Sequence, residues 1–195
     1  RRSHCDNVIY TDWKRDNFLR AIVSIIGRDD PPKNIGLEND HVTLDMREKI
    51  GSIFTFSVFS DISKNLMQLR MIKSAEEISY VRKAAELADK ALEEVWKNSK
   101  AGISEGKILA EMQKVIFENG GDYPANEFII GSGHNALLCR YQSEKRILSN
   151  PDQLTIEWAG TFKHYHSAMF RTIPIGKANP KHYKMYDACL EALTK

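Results

Sequence analysis

Four residues in the last quarter of the sequence have the types and spacing to do chemistry: Glu157, His164, His166 and Arg171. His164 and His166 lie two apart in a segment whose alternation predicts a β-strand, so both rings are expected on one face, together with Ala168. Imidazole changes charge near neutral pH and also ligates metals, and Glu157 would add a carboxylate. The group is therefore open to three readings: a structural or solvent-facing pair, substrate contact with acid–base work, or a metal site. Arg171 has two roles open to it. An ion pair with Glu157 across the hairpin would fix strand register, or the guanidinium would hold a substrate group. Cys5, Cys139 and Cys189 are widely spaced and lack a C-x-x-C pattern, which leaves no basis for a zinc knuckle or a disulfide framework.

These side chains need a rigid platform. Residues 154–159 and 165–175 predict a hairpin turning through Gly160 and its neighbours, with residues 128–130 as a further strand. Two helices are expected beside it. Ser74 is a favourable N-cap, Glu77 stands three residues later as a capping box requires, and Glu76 adds a carboxylate where the helix dipole favours one. Ile78, Val81, Ala85, Ala88, Leu92 and Val95 then repeat at helical spacing up to a stop at Ala101-Gly102. Ser104 caps a second helix, with Ile108, Met112, Val115 and Ile116 as its apolar stripe and Gly120-Gly121 as its end. Helices over 74–100 and 104–119 are thus expected to lie on an antiparallel sheet, and a last helix begins near Pro180. Trp96 and Trp158 read as core residues.

Ahead of Arg70, short apolar runs at 7–10, 34–37 and 53–56 alternate with helical patterns at 15–26 and 42–50, which suggests an α/β layer. Lys and Arg number 28 against 26 Asp and Glu, a net charge of +2 that gives no reason to expect a nucleic-acid partner. No apolar run approaches the roughly 20 residues of a membrane span, and no signal segment follows Arg1, so a cytoplasmic protein is expected. The opening on Arg1 and the close at Leu193-Thr194-Lys195 inside a helical pattern read as cut ends.

Two segments carry a family resemblance. Arg70-Met71-Ile72-Lys73-Ser74, with Glu77-Ile78, resembles the R-x-I-K-S-x-x-E-I start of the catalytic domain in the pita-bread hydrolases, the family of creatinase, aminopeptidase P and prolidase. Ser132-Gly133-His134-Asn135-Ala136, followed by Glu157, Ala159-Gly160, Tyr165 and Arg171-Thr172, resembles that family's S-G-x-N-A segment and its D-x-G-x8-D-x-x-R-T metal hairpin. Residues 7–22 are similar to creatinase in particular, and Ala159-Gly160 with Tyr165-His166 to ectoine hydrolase. The resemblance implies that residues 1–69 end an N-terminal α/β domain and that 70–195 form the first half of a pita-bread catalytic domain. It also implies that the second half lies outside this chain, leaving the piece inactive and marginally stable by itself.

The resemblance also locates departures. The family's two hairpin aspartates fall at Glu157 and at Ala168, which has no ligand atom, so the usual dinuclear metal pair is not expected. A divalent Mn, Co or Zn ion is the alternative. The family's catalytic histidine falls at Arg140, which cannot act as a base but suits a two-point clamp on a carboxylate. The expected function is cleavage of a C–N bond in a small nitrogenous solute, with Glu157 and Arg140 as catalytic residues and His164, His166 and Arg171 as substrate contacts. An Xaa-Pro peptidase with altered ligands, acting on a dipeptide, is the second reading, and an inactive binding protein the third. A homodimer is implied by resemblance.

Overall fold

The computed structural model describes residues 17–26, 31–137 and 146–195. The chain forms two compact units, residues 1–72 and 73–195. In the first, helix α1 spans Asn17–Ile26, strand β1 Asn34–Leu37, helix α2 Leu44–Ile53, strand β2 Val58–Asp61 and helix α3 Ser63–Met71. The two strands pair in parallel, Asn34 opposite Val58, with α2 as the crossover. A βαβ step of this kind is the α/β layer that the alternation predicts. The expected run at 7–10 lies outside the described residues.

The strand expected over 53–56 is displaced to Val58–Asp61. Ile53 closes α2, and the buried Phe54 caps it by donating its N–H to the Ile50 carbonyl. An apolar run of four residues does not distinguish a strand from a buried helix end. Helix α3 had no counterpart in the sequence reading, because it buries no residue and so leaves no apolar stripe.

The second unit begins with helix α4, Ala75–Asn98, whose capping box is complete: Ser74 Oγ accepts from the Glu77 N–H, and Glu77 Oε2 accepts from the Ser74 N–H at 2.6 Å. Helix α5, Glu105–Glu118, starts after Gly102, whose φ of +86° breaks the path between the two helices. Strands β3 (Ile129–Ser132), β4 (Asp152–Phe162) and β5 (Tyr165–Ile175) form an antiparallel sheet in that order, and helix α6 spans Pro180–Thr194. Its core joins Leu87, Ala91 and Val95 of α4 with Ile108, Met112 and Ile116 of α5 and Leu154 and Ile156 of β4. The expected stripe on α4 is buried at Ala88, Leu92 and Val95 and differs at its start. Ala84 and Leu87 are buried, whereas Ile78 is exposed. Of the two tryptophans read as core, Trp158 is buried and donates Nε1–H to the Ala88 carbonyl at 3.0 Å, while Trp96 is 62% exposed.

Gly160 is not in the turn. It sits inside β4 against α4, where an added Cβ would lie 2.0 Å from the Ala84 carbonyl oxygen and 2.4 Å from the Ala88 nitrogen. The turn is Lys163–His164, both at positive φ, 47° and 67°, as a two-residue hairpin connection requires. Its end is tied to the start of α4. Tyr165 Oη donates to Glu77 Oε1 at 2.6 Å, so one carboxylate serves both the helix cap and the hairpin.

Replacement of Gly160 by Ala should cost about 3 kcal/mol or more, because the obstructing atoms are backbone and cannot rotate away. Urea unfolding that gives Gly160→Ala the stability of the parent would contradict this packing.

Candidate functional site

Because strand side chains alternate, β4 has two different faces. Leu154, Ile156, Trp158 and Gly160 turn to the helices, and Thr155, Glu157, Ala159 and Thr161 to the other side. Register extends that second face onto β5: Phe170 stands opposite Glu157, Ala168 opposite Ala159, and His166 opposite Thr161. Glu157 and Ala168 therefore lie on one face, diagonal to each other, as the family hairpin implies. Glu157, Ala168 and His166 are all exposed on it.

Two of the expected site residues are held differently from the sequence reading, and a third, His166, is on its expected strand face with Ala168. Arg171 stands opposite Ile156, which belongs to the helix-side set, so it does not share a face with Glu157. Its Nη1 donates to the Phe170 carbonyl at 2.8 Å, and the expected pairing with Glu157 is absent. His164 is in the turn rather than on the strand, so it does not share His166's strand face; its backbone N–H donates to Asp122 Oδ2 at 3.3 Å. His166 has both ring nitrogens engaged. The Ala125 N–H donates to Nε2 at 2.9 Å, and Nδ1 lies 2.9 Å from the His164 carbonyl oxygen. An amide can only donate and a carbonyl can only accept, so the two contacts together call for the tautomer with its proton on Nδ1. No lone pair remains for a metal. Arg140 lies outside the described residues.

A polar network beneath β3 escaped the sequence reading. Ser132 Oγ donates to the buried Glu105 Oε1 at 2.6 Å and accepts from Arg146 Nη1 at 2.7 Å, while Arg146 also reaches Asp152 Oδ2 at 2.5 Å. Burial alone would raise the Asp152 pKa. Hydrogen bonds from the Ser149 N–H, Arg146, the Gln153 N–H and the Ser149 hydroxyl outweigh it, and lower the carboxyl from 3.8 to about 2. Nothing in the spacing of Glu105, Ser132, Arg146 and Asp152 announces this cluster, since three separate elements bring it together.

A pair of divalent ions needs several carboxylates converging on one face. Here Glu157 stands diagonal to a methyl group at Ala168, and the imidazole of His166 is committed to backbone, so this hairpin does not fit such a pair. The one convergent set of three ligand side chains among the described residues is Glu38, Asp40 and His41, in the other unit. Glu38 is also ion-paired to Arg70 at 3.0 Å. Among the described residues no helix is long and apolar enough to cross a membrane.

The sequence pattern of metallopeptidase family M24 matches residues 79–195, more than half of the chain. The chain belongs to this family. It is 29% identical over 194 residues to creatinase from Bacillus sp. (strain B-0618), covering 96% of this chain and 47% of that protein. An Xaa-Pro dipeptidase from Pyrococcus horikoshii is 29% identical over 184 residues, covering 93% and 50%. Among solved structures, the prolidase from Pyrococcus furiosus superposes with a TM-score of 0.78 at 30% identity, covering 88% of this chain and 50% of that one. The X-Pro aminopeptidase from Thermotoga maritima superposes at 0.79 with 26% identity, over 90% and 48%. The fold is therefore the expected one, an α/β part followed by the helices and antiparallel sheet of a pita-bread protein. The chain spans about half the length of the curated relatives it matches.

Since the folded-state pKa of Asp152 lies below its ordinary value, its contribution to stability is present above pH 3.8 and is lost as pH falls toward about 2. Asp152→Asn should cost about 1–3 kcal/mol at neutral pH and progressively less below pH 4. Urea unfolding of both proteins across that range checks it; a constant difference would contradict the assignment.

Proposed function

We propose that the whole protein is a pita-bread hydrolase that cleaves a C–N bond in a small nitrogenous solute, in the manner of creatinase, without the dinuclear metal pair. The observation that carries this reading is Ala168. It stands beside Glu157 on the open sheet face at the position where the family hairpin has its second carboxylate. Without that oxygen, charge at the reacting centre must be handled by side chains. Glu157, exposed and facing Phe170, suits a carboxylate that holds a cationic nitrogen or relays a proton. Arg140 is proposed to clamp a substrate carboxylate, a task for which a permanently charged planar fork is suited. His166 supports the adjoining loop in this reading, and His164 and Arg171 are left out of substrate contact.

The proposal takes residues 1–69 as the end of an N-terminal domain and 70–195 as the first half of the catalytic domain, in a cytoplasmic homodimer. The likeness to creatinase over 96% of the chain supports the substrate class. Likeness to the Pyrococcus furiosus prolidase supports a second reading, an Xaa-Pro peptidase with altered ligands.

The test is turnover of creatine, ectoine and an Xaa-Pro dipeptide by the full-length protein, with and without a chelator. Hydrolysis of a small solute should survive chelation, and Glu157→Gln should slow it by about 100-fold or more. Activity that vanishes with chelator and returns with Mn, Co or Zn would favour the peptidase.

A further inference from the structure

The loop of residues 121–128 joins α5 to β3 and crosses the hairpin end of the open sheet face. Three hydrogen bonds tie it to the described residues of the hairpin. The Asp122 N–H donates to the Thr161 carbonyl at 2.9 Å, Asp122 Oδ2 accepts from the His164 N–H at 3.3 Å, and the Ala125 N–H donates to His166 Nε2 at 2.9 Å. Thr161, whose carbonyl takes the first of these bonds, is fully buried, with a hydroxyl that has no hydrogen-bond partner. With α5 the loop also lines a cleft of about 630 Å³, bordered by Leu109, Gln113, Tyr123 and Phe128.

Of the three bonds, two do not depend on an imidazole. The third requires one in its neutral form. Protonation turns Nε2 from an acceptor into a donor, so that two N–H groups face each other across the Ala125 contact, while the bond from Nδ1 to the His164 carbonyl is kept. We propose that loop 121–128 is a pH-sensitive strap over the hairpin end of the sheet, fastened through neutral His166 and released when that ring is protonated. The charged and titratable groups on the elements that meet the ring are Asp122, Tyr123 and Glu127 on the loop, His164 and Lys163 in the turn, the latter with Nζ over the Tyr80 ring, and Glu157 on the same face of β4. Asp122 is bonded to the turn itself and Phe128 is held in the core, so they anchor the two ends of the loop while residues 123–127 lift. Release would free the hairpin end of the face that carries Glu157.

The test is amide exchange in the intact protein, corrected for the intrinsic effect of pH, read beside the ring resonances of His166. The Ala125 amide should lose about tenfold of its protection between about pH 7.5 and 5.5, with the midpoint of the His166 titration. The Leu148 amide, bonded to the Ile103 carbonyl and remote from any histidine contact, should not change. His166→Gln, whose side-chain oxygen can accept from Ala125 at either pH, should keep protection at the lower one. His166→Ala should lose it at both. Protection of Ala125 that stays constant while His166 titrates, or that survives His166→Ala, would overturn the proposal.

Discussion

The contact on which the second unit depends is the approach of α4 to β4 at Gly160. Helix backbone lies so near the strand there that no Cβ can be interposed, and the Trp158 indole donates to a helix carbonyl one strand position pair away. This fixes which face of β4 meets the helices, since Trp158 and Gly160 belong to the same alternating set. Everything on the opposite face follows from it. Glu157, Ala159 and Thr161 must point outward, and antiparallel register then selects Phe170, Ala168 and His166 as their companions.

The same constraint shapes the chemistry that the sheet can offer. Two small residues, Ala159 and Ala168, occupy the middle of the open face, with a carboxylate and an aromatic ring on one side and a hydroxyl and an imidazole on the other. The carboxylate stands without a second ligand beside it. A lone carboxylate can bind a cation or move a proton, but it cannot hold two metal ions against their mutual repulsion. Membership of a metallopeptidase family and a hairpin unsuited to a metal pair are compatible, because a fold is shared more widely than a site.

Much of this architecture could be read from the sequence. Local chemistry marked the capping box at Ser74 and Glu77, the break at Gly102 and the start of α6, and periodicity marked the two helices and the antiparallel strands. Features set by tertiary contact were misread. Gly160 looked like a turn residue, since glycine in a strand pattern signals either a turn or a close approach, and only the helix across from it decides which. That single misplacement moved the turn forward and put His164 on the strand. A pairing of Arg171 with Glu157 is open from spacing alone, and only the register shows that they occupy opposite faces. The network of Glu105, Ser132, Arg146 and Asp152 had no sequence signal, because its members come from a helix, two strands and the segment between them.

The claim that this hairpin presents one carboxylate in place of a metal-ligating pair is tested most directly by metal analysis of the purified full-length protein after exposure to manganese, cobalt or zinc and removal of the free ion. The account predicts less than one tightly held ion per chain, with no change on Glu157→Ala. Two ions per chain, both lost on Glu157→Ala, would contradict it.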